Sequence, residues 1–441
     1  MALKGMDIFK LLPKSNCKKC GNPTCMAFAM KVAAGGITID KCPDISAEAL
    51  AALSEASAPP MKKLAFGKDL QLGGETVLFR HDKTFVSKSL YSVTVSAADV
   101  DAKLPGIQLI DYDRIGEQMR VDVVNVEFTG DSGKFVDAAK KAQGAGRAGI
   151  ILEVTDAAAA KAALDAVKAD KPILNGANAG NWEAFNKLAT EAGVILGVGG
   201  KNLDEIYDTI LKLEGAGNKN LVVDVTAGSI KETFANAVEL RRAALKDNDR
   251  SSGYPSIVNL HKLAGGDENL QIALASLFTL KYGSIIILSN MSYATALPLY
   301  GLRQNVFTDP QKPMKMEPKI YPVNGADENS IVALTVDFAL SYFVINGELE
   351  RSGVPVNLVV ADAGGYSVLT SWAAGKFSAG TISKFFKEAG IEGKVKSRNL
   401  LIPGKVAVLK GELEENLPGW KILVGPNEAA GVVKWLKDFK G

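Results

Sequence analysis

All four cysteines of this 441-residue chain fall within its first 42 residues, as Cys17, Cys20, Cys25 and Cys42. The pattern C-x2-C-x4-C-x16-C constrains folding more than any other feature, because it lets every thiol in the chain reach one centre. Gly21, Asn22 and Pro23 allow the tight turn that brings thiolates together from different directions. Pro43 follows Cys42 as proline follows the last ligand of many iron–sulfur loops. Zinc also accepts four thiolates, but its structural sites usually come as two C-x2-C pairs. The spacing therefore favours a 4Fe–4S cluster on Cys17, Cys20, Cys25 and Cys42, with zinc as the alternative. Disulfides are disfavoured, since no signal-peptide pattern opens the sequence and no later cysteine extends a framework.

Length suggests about three domains. The formal net charge of +2, from 51 basic and 49 acidic residues, gives no reason to expect nucleic acid or a membrane surface as a partner. The most apolar stretch, 331–345, is interrupted by Asp337 and is too short to cross a bilayer, so it reads as a buried helix or strand. A cytoplasmic protein is expected.

The cysteine module is assigned to 1–58, and an alanine- and serine-rich linker-like stretch runs from Ala47 to Pro60, where Pro59 and Pro60 end any helix. Over 59–310, Val- and Ile-rich runs at 121–126, 149–154, 172–175, 194–198, 221–225, 256–260 and 284–288 alternate with helical stretches at 134–143, 157–168, 182–191, 203–213, 230–245 and 268–281. An eighth strand is expected between 85 and 96. That alternation predicts α/β architecture, and a (β/α)8 TIM barrel in preference to an open doubly wound sheet. Chemistry within it is harder to find. Gly197, Gly199, Gly200 and Lys201 could hold an anion between strand and helix, though a tight turn explains them as well. Glu153, Asn175, Asp224, Asn259 and Asn290 sit at strand ends, where barrels place function, and several read as ordinary turn residues. His81 and His261 are the only histidines: His81 reads as a surface residue and His261 as strand-end packing, leaving little material for a histidine metal site or a Ser-His-Asp triad.

Pro310, Pro313, Pro318, Pro322 and Gly325 predict a flexible linker over 311–327 with no packed element. The last domain, 328–441, resumes the α/β alternation, with strands expected at 356–361, 400–402, 406–410 and 421–424 and a final helix at 428–439. In such a sheet ligands bind at the carboxyl ends of the strands, here 364–367, 403–404 and 425–428. The small residues there suit a bulky flat ligand. Between two helices, Gly375, Lys376, Phe377, Ser378, Ala379, Gly380 and Thr381 offer hydrogen bonds without bulk, but a helix connection capped by Gly375 and Ser378 explains them equally. No G-x-G-x-x-G fingerprint selects a nucleotide over flavin or corrin.

Taken together, the Cys17-to-Cys25 motif with Cys42-Pro43, the barrel, the Pro-rich segment and the stretch Ala361-Asp362-Ala363-Gly364-Gly365-Tyr366-Ser367 resemble, over the whole chain, the large-subunit family of corrinoid iron–sulfur proteins. The resemblance implies a C-terminal Rossmann-like domain that binds cobalamin, and a methyl carrier of the reductive acetyl-CoA pathway. Cobalt as Co(I) would take a methyl group from methyltetrahydrofolate by way of a methyltransferase and pass it to acetyl-CoA synthase. The four cysteines would ligate a low-potential 4Fe–4S cluster that reactivates Co(II), fed by a low-potential electron donor, and the chain would pair with a small subunit as a heterodimer. Around the corrin the resemblance places Tyr366, Ser367, Leu369, Thr370 and Ser371, with Thr370 beneath the cobalt. It adds Gly375 to Thr381 along the ring edge or tail, Pro403 and Gly404, and Gly425, Pro426, Asn427, Glu428 and Ala429 at the other strand ends. No histidine follows His261, so the corrin would be base-off with no protein imidazole, which favours low-coordinate, reducible cobalt.

Two other readings compete. An iron–sulfur electron-transfer subunit would carry flavin or a nucleotide in the last domain, and a zinc-stapled scaffold would use the barrel for docking.

Overall fold

Short apolar runs that alternate their side chains across two faces build almost all of the sheet structure. The computed structural model describes residues 5–33, 37–50, 53, 60–309 and 314–439. It divides into two units, Met1–Asp111 with Met119–Phe307, and Tyr112–Gln118 with Thr308–Gly441.

In the first unit, β1 (Lys63–Phe66) and β2 (Leu70–Gly73) form an antiparallel hairpin. A closed parallel barrel follows, made of β3 (Leu90–Ser96), β6 (Val123–Glu127), β7 (Gly149–Glu153), β8 (Ile173–Ala177), β9 (Ile195–Val198), β10 (Leu221–Asp224), β11 (Ser256–Asn259) and β12 (Ile285–Leu288); between β3 and β6 in the chain, β4 (Asp111–Arg114) and β5 (Glu117–Arg120) form a two-stranded sheet that falls mostly in the second unit. Each barrel strand pairs with the next in chain order, and β12 returns to β3 through Ile285 opposite Leu90. The strands and helices expected from the apolar periodicity are all present within a few residues. Among the helices around the barrel, Val100–Leu109, Leu260–Ala264 and Tyr293–Val306 were not expected. Pro105 and Pro298 lie inside the first and last of these, where proline normally signals a helix end.

One inward layer of the barrel is apolar, with Val123, Ile151, Ile173, Ile195, Val222 and Ile257 packed around Phe66 and Leu72 of the hairpin. The hairpin thus contributes side chains to the barrel core. Gly149 makes room for it: a Cβ there would lie 2.5 Å from the Phe66 ring. Near the barrel wall, the buried Arg303 guanidinium meets Asp122 at 2.6 Å, and the same carboxylate accepts from the Tyr91 amide at 2.9 Å.

In the second unit, β13 (Ile320–Val323), β14 (Ile331–Val336), β15 (Val356–Ala361), β16 (Asn399–Ile402) and β17 (Lys421–Val424) form an open sheet in the order β13-β15-β14-β16-β17. All but β13 are parallel. Alternation along β14 sends Val332, Leu334 and Val336 to a core with Phe377, Ile382 and Phe386. Ile331 and Ala333 go to the opposite core with Tyr342 and Leu349. Both faces are therefore covered, as a parallel sheet requires.

Two expectations are corrected here. The segment expected to be a structureless linker carries β13, and Met316 N and Ala339 N bond to Asp337 O and Met314 O at 2.8 and 2.9 Å. Pro322 is tolerated because β13 is an edge strand, where a missing N–H costs no central ladder bond. Residues 311–313 of that expected linker lie outside the described residues. The strand expected at 406–410 is instead a 3-10 turn, Gly404–Leu409, running into the helix Lys410–Asn416. Val406 and Leu409 are buried while Val408 is 71% exposed, a spacing of three rather than two.

Phe66→Ala would empty the floor of the barrel. The expected loss is about 3–5 kcal/mol, read by urea unfolding followed through far-UV circular dichroism. An unchanged midpoint would refute the hairpin's place in the core.

Candidate functional site

The cysteines sit on a loop shaped by left-handed residues. Lys14, Asn16, Lys18 and Gly21 all have positive φ, and the chain turns on itself between Cys17 and Cys25. Asn16 closes this turn: its Oδ1 accepts from the Cys25 amide at 2.8 Å while its own amide donates to the Cys25 sulfur at 3.4 Å. Cys25 opens the helix Cys25–Ala33, so its sulfur lies at the end where helix dipoles favour negative charge. Asn22 Nδ2 donates to Cys20 O at 3.1 Å and to its sulfur at 3.7 Å. Lys19 pairs with Asp44 at 2.9 Å, joining the first loop to the turn after Cys42. Behind the thiols, Ile8, Leu12, Phe28 and Ile39 form a small core that includes Cys25 and Cys42.

Burial, and then the neighbouring Cys20, Cys25 and Cys17, push the Cys42 thiol above its ordinary range. The four side chains thus share one electrostatic neighbourhood. A single zinc would draw all four sulfurs to about 2.3 Å from one point. Among the described residues no group of three or more His, Cys, Asp or Glu closes around a single ion in that way.

The second site lies at the carboxyl end of the C-terminal sheet. The chain leaves β14 towards β15 on one side, and β16 lies on the other, so a crevice opens between the ends of β14 and β16. A cavity of about 360 Å³ occupies it, reaching from Thr335 and Phe338 past Leu401 and Pro403 to Gly425 and Asn427. Its rim includes Ser367, Leu369, Leu340 and Val344, with Lys405 and Glu428 paired across it at 3.0 Å. Large apolar side chains stay exposed on this part of the unit, Leu369 at 45% and Trp372 at 43%. Gly404 allows two loops to meet, since a Cβ there would lie 2.4 Å from Gly425 O. The Gly364-Gly365 turn, with φ of 78° and 77°, hangs on buried Asp337, whose Oδ1 accepts from Ala363 N and Gly365 N at 3.0 and 2.9 Å. A cavity lined mostly by aliphatic side chains, with proline, glycine and alanine in its strand-end loops, suits a flat, largely apolar ligand.

Of the residues expected around that ligand, the cavity gathers Ser367, Leu369, Pro403, Gly425, Pro426, Asn427, Glu428 and Ala429. Thr370 is exposed beside it, its hydroxyl 3.0 Å from Ser367 Oγ. Gly375, Lys376 and Thr381 line a separate open concavity with Lys315 and Asp362, and Lys376 lies over the Tyr366 ring. Ser378 and Thr381 form a capping box on the helix Ala379–Glu388, so this stretch is a capped helix connection. Phe377 and Ala379 are packed in the core, and Ser371 is buried with its hydroxyl on Ala363 O and Tyr366 O. These three side chains are turned into the interior of the unit. Thr335, Phe338 and Ser341 escaped the sequence reading because 331–345 looked like one element. It is a strand, a sharp turn at Asp337 and the start of a helix.

In the barrel, Glu153, Asn175, Asp224 and Asn259 are interior residues rather than turn residues. Glu153 accepts from Asn125 Nδ2 at 2.7 Å and Asn259 Nδ2 at 3.1 Å and pairs with Lys262. Asn175 Nδ2 donates to Asp224 at 3.3 Å. Burial, and to a lesser degree the nearby Glu153, raise the Asp224 carboxyl above the ordinary range. Asn290 is exposed on Glu268. His261 faces Ser289 Oγ at 2.8 Å and Glu127 at 3.5 Å, while His81 is exposed as expected. Gly199 and Gly200 form a tight turn before a helix capped by Asn202. No helix among the described residues is long and apolar enough to cross a membrane.

Comparison with known proteins adds identity to this geometry. The family model described as CO dehydrogenase/acetyl-CoA synthase delta subunit matches residues 65–436, and an Fe-S cluster family model matches residues 12–43. The corrinoid/iron-sulfur protein large subunit of Moorella thermoacetica is 38% identical, covering 99% of each chain. The acetyl-CoA decarbonylase/synthase complex subunit gamma of Methanothermobacter thermautotrophicus is 32% identical over 99% of each. Among solved structures, dihydropteroate synthase from Thermus thermophilus covers 56% of this chain and 100% of its own at 14% identity and a TM-score of 0.39, a likeness too slight to carry a functional inference. With a cysteine centre suited to a cluster and full-length identity of 38%, this chain belongs to the corrinoid/iron-sulfur protein large-subunit family of the acetyl-CoA pathway.

Proposed function

We propose that the chain is a methyl carrier whose C-terminal Rossmann-like domain holds a cobalamin over the crevice between β14 and β16. The observation that carries this reading is the crevice itself, with small-residue strand-end loops, an exposed apolar rim and an aliphatic-lined cavity of about 360 Å³. When bound, the corrinoid supplies a cobalt centre able to take a methyl group from methyltetrahydrofolate, by way of a methyltransferase, and to yield it to acetyl-CoA synthase. The chain's own contribution is placement. Leu369 and Trp372 offer apolar surface to a ring face, the Ser367–Thr370 hydroxyl pair sits alongside, and the strand-end loops at 403–404 and 425–429 bound the cavity for a nucleotide tail. With no histidine after His261, the region offers the cobalt no protein imidazole. Hydroxyls are weak donors to cobalt, which keeps the centre easy to reduce.

The cysteine module would keep a 4Fe–4S cluster at low potential to return oxidised cobalt to its reactive state, fed by a low-potential electron donor. A relative described as a large subunit, and others described as subunits of a decarbonylase/synthase complex, support a heterodimer with a small subunit that meets the methyltransferase and acetyl-CoA synthase in turn. On this reading, residues 1–58 serve redox repair, the barrel is the scaffold, and the unit beyond it carries the methyl group.

Anaerobically purified protein is expected to hold about four irons and one cobalt, with a base-off corrin spectrum. Iron without cobalt, in protein that takes up no added cobalamin, would overturn the carrier assignment. Leu369→Glu places a charge on the exposed rim without touching the core, and should lower corrin uptake at least tenfold while leaving iron unchanged. Equal cobalt in variant and parent would move the corrin elsewhere. Cys42→Ala should show the converse, with iron and sulfide lost and cobalt retained. Retention of a full complement of iron would remove Cys42 from the ligand set.

A further inference from the structure

The segment that follows β15 is pinned more firmly than its exposure calls for. It turns Tyr366, Leu369, Thr370 and Trp372 outward, and the three large side chains among them are 39, 45 and 43% exposed. A surface segment of that kind buries little apolar area and is ordinarily mobile. This one is tied down from beneath by two side chains that solvent does not reach, Asp337 at 1% exposure and Ser371 at 0%.

Asp337 acts from the carboxyl end of β14. Its Oδ1 accepts from Ala363 N and Gly365 N at 3.0 and 2.9 Å, and its Oδ2 lies 3.4 Å from the half-exposed Lys315 ammonium. Gly365 makes room for the lysine stem, since a Cβ there would lie 2.7 Å from Lys315 Cε. Ser371 acts from within the segment. Its hydroxyl is shared between Tyr366 O and Ala363 O at 3.0 and 3.3 Å, and its amide donates to Ser367 O at 2.8 Å. Its carbonyl accepts from Lys376 N and Phe377 N at 2.8 and 3.1 Å. Holding two amides asks for no more than a neutral oxygen, and a buried carboxylate carries a desolvation cost that its pairing with lysine must offset. What the charge adds is strength, because hydrogen bonds to an ionised acceptor are about twice as strong as neutral ones.

We propose that Asp337 and Ser371 are positioning residues for the corrinoid, which together hold the Ser367–Thr370 hydroxyl pair and the Leu369 and Trp372 surface in the arrangement a bound ring meets. This role rests on the carrier reading, which supplies the ligand. Both residues act through the backbone of the segment. Asp337 fixes where the chain turns after leaving β15, and Ser371 fixes the turn that brings Ser367 to Thr370, whose hydroxyls are 3.0 Å apart. A segment already in its bound shape loses little freedom on binding, which raises affinity. It also presents the same hydroxyls to the cobalt in every molecule, because buried anchors lock the rotamers and backbone that carry them.

The test compares Asp337→Asn and Ser371→Ala with the parent, each full-length, carrying its iron–sulfur cluster and titrated with cob(II)alamin in the absence of oxygen. Asparagine keeps an acceptor for the two amides and loses the charge, while alanine removes one buried hydroxyl. Both variants should keep the parent's iron content and far-UV circular dichroism and bind cob(II)alamin about tenfold more weakly. At saturation their Co(II) electron paramagnetic resonance spectra should contain more than one species where the parent shows one. A lower urea midpoint with an unchanged saturated spectrum would assign both residues to structure alone and overturn the proposal, as would parent-like affinity in Ser371→Ala. If Asp337→Asn fails to fold, Ser371→Ala alone decides. A parent that takes up no cob(II)alamin would overturn the carrier reading itself, and this role with it.

Discussion

A side chain that points into a closed ring of eight parallel strands can reach water only through the ends of the ring. That confinement governs the first unit. Towards one end, Phe66 and Leu72 of the β1–β2 hairpin join the inward Val and Ile residues in a single apolar core, and Gly149 gives up a side chain so that the Phe66 ring can enter. One level higher the same ring turns polar. A hydrogen-bond network can sit there because Glu153 is shared among Asn125, Asn259 and Lys262, which spreads the cost of a buried carboxylate over several donors.

The C-terminal sheet solves a related problem without closure. Helices cover both faces, so the free space is at the strand ends, and the neighbours of β14 decide where it opens. Backbone proximity then shapes the floor. Gly404 beside Gly425 O lets two strand-end loops meet, and Asp337 holds the Gly364-Gly365 turn through two amide bonds. The exposed Leu369 and Trp372 are the counterpart of this arrangement, since apolar area left in water at a crevice marks a place for a ligand.

Much of this was legible beforehand, for identifiable reasons. Barrel strands announce themselves as Val/Ile runs between amphipathic helices, and their ends fell within a few residues of the observed ones. The helices containing Pro105 and Pro298 did not, because proline inside a helix is indistinguishable by sequence from proline beyond its end. The strand Ile320–Val323 was hidden for the same reason: an edge strand can hold Pro322, and nothing local says which strand is the edge. The Phe377 region misled differently, since small polar residues suit a ligand and a capped helix start alike, and only burial separates them.

The sequence by itself determined the cysteine centre, the βα alternation and the absence of a late histidine, because each depends on residue type and short-range spacing. Tertiary structure alone decided which polar residues meet. Asn125, Glu153, Asn175 and Asn259 are separated by up to 134 residues, and no periodicity links them. Ring closure brings them into adjacent layers, because strands that repeat every two residues, tilted and paired in a fixed register, stack inward side chains from distant segments. The crevice at β14 arose in the same way, from the order in which strands were laid side by side.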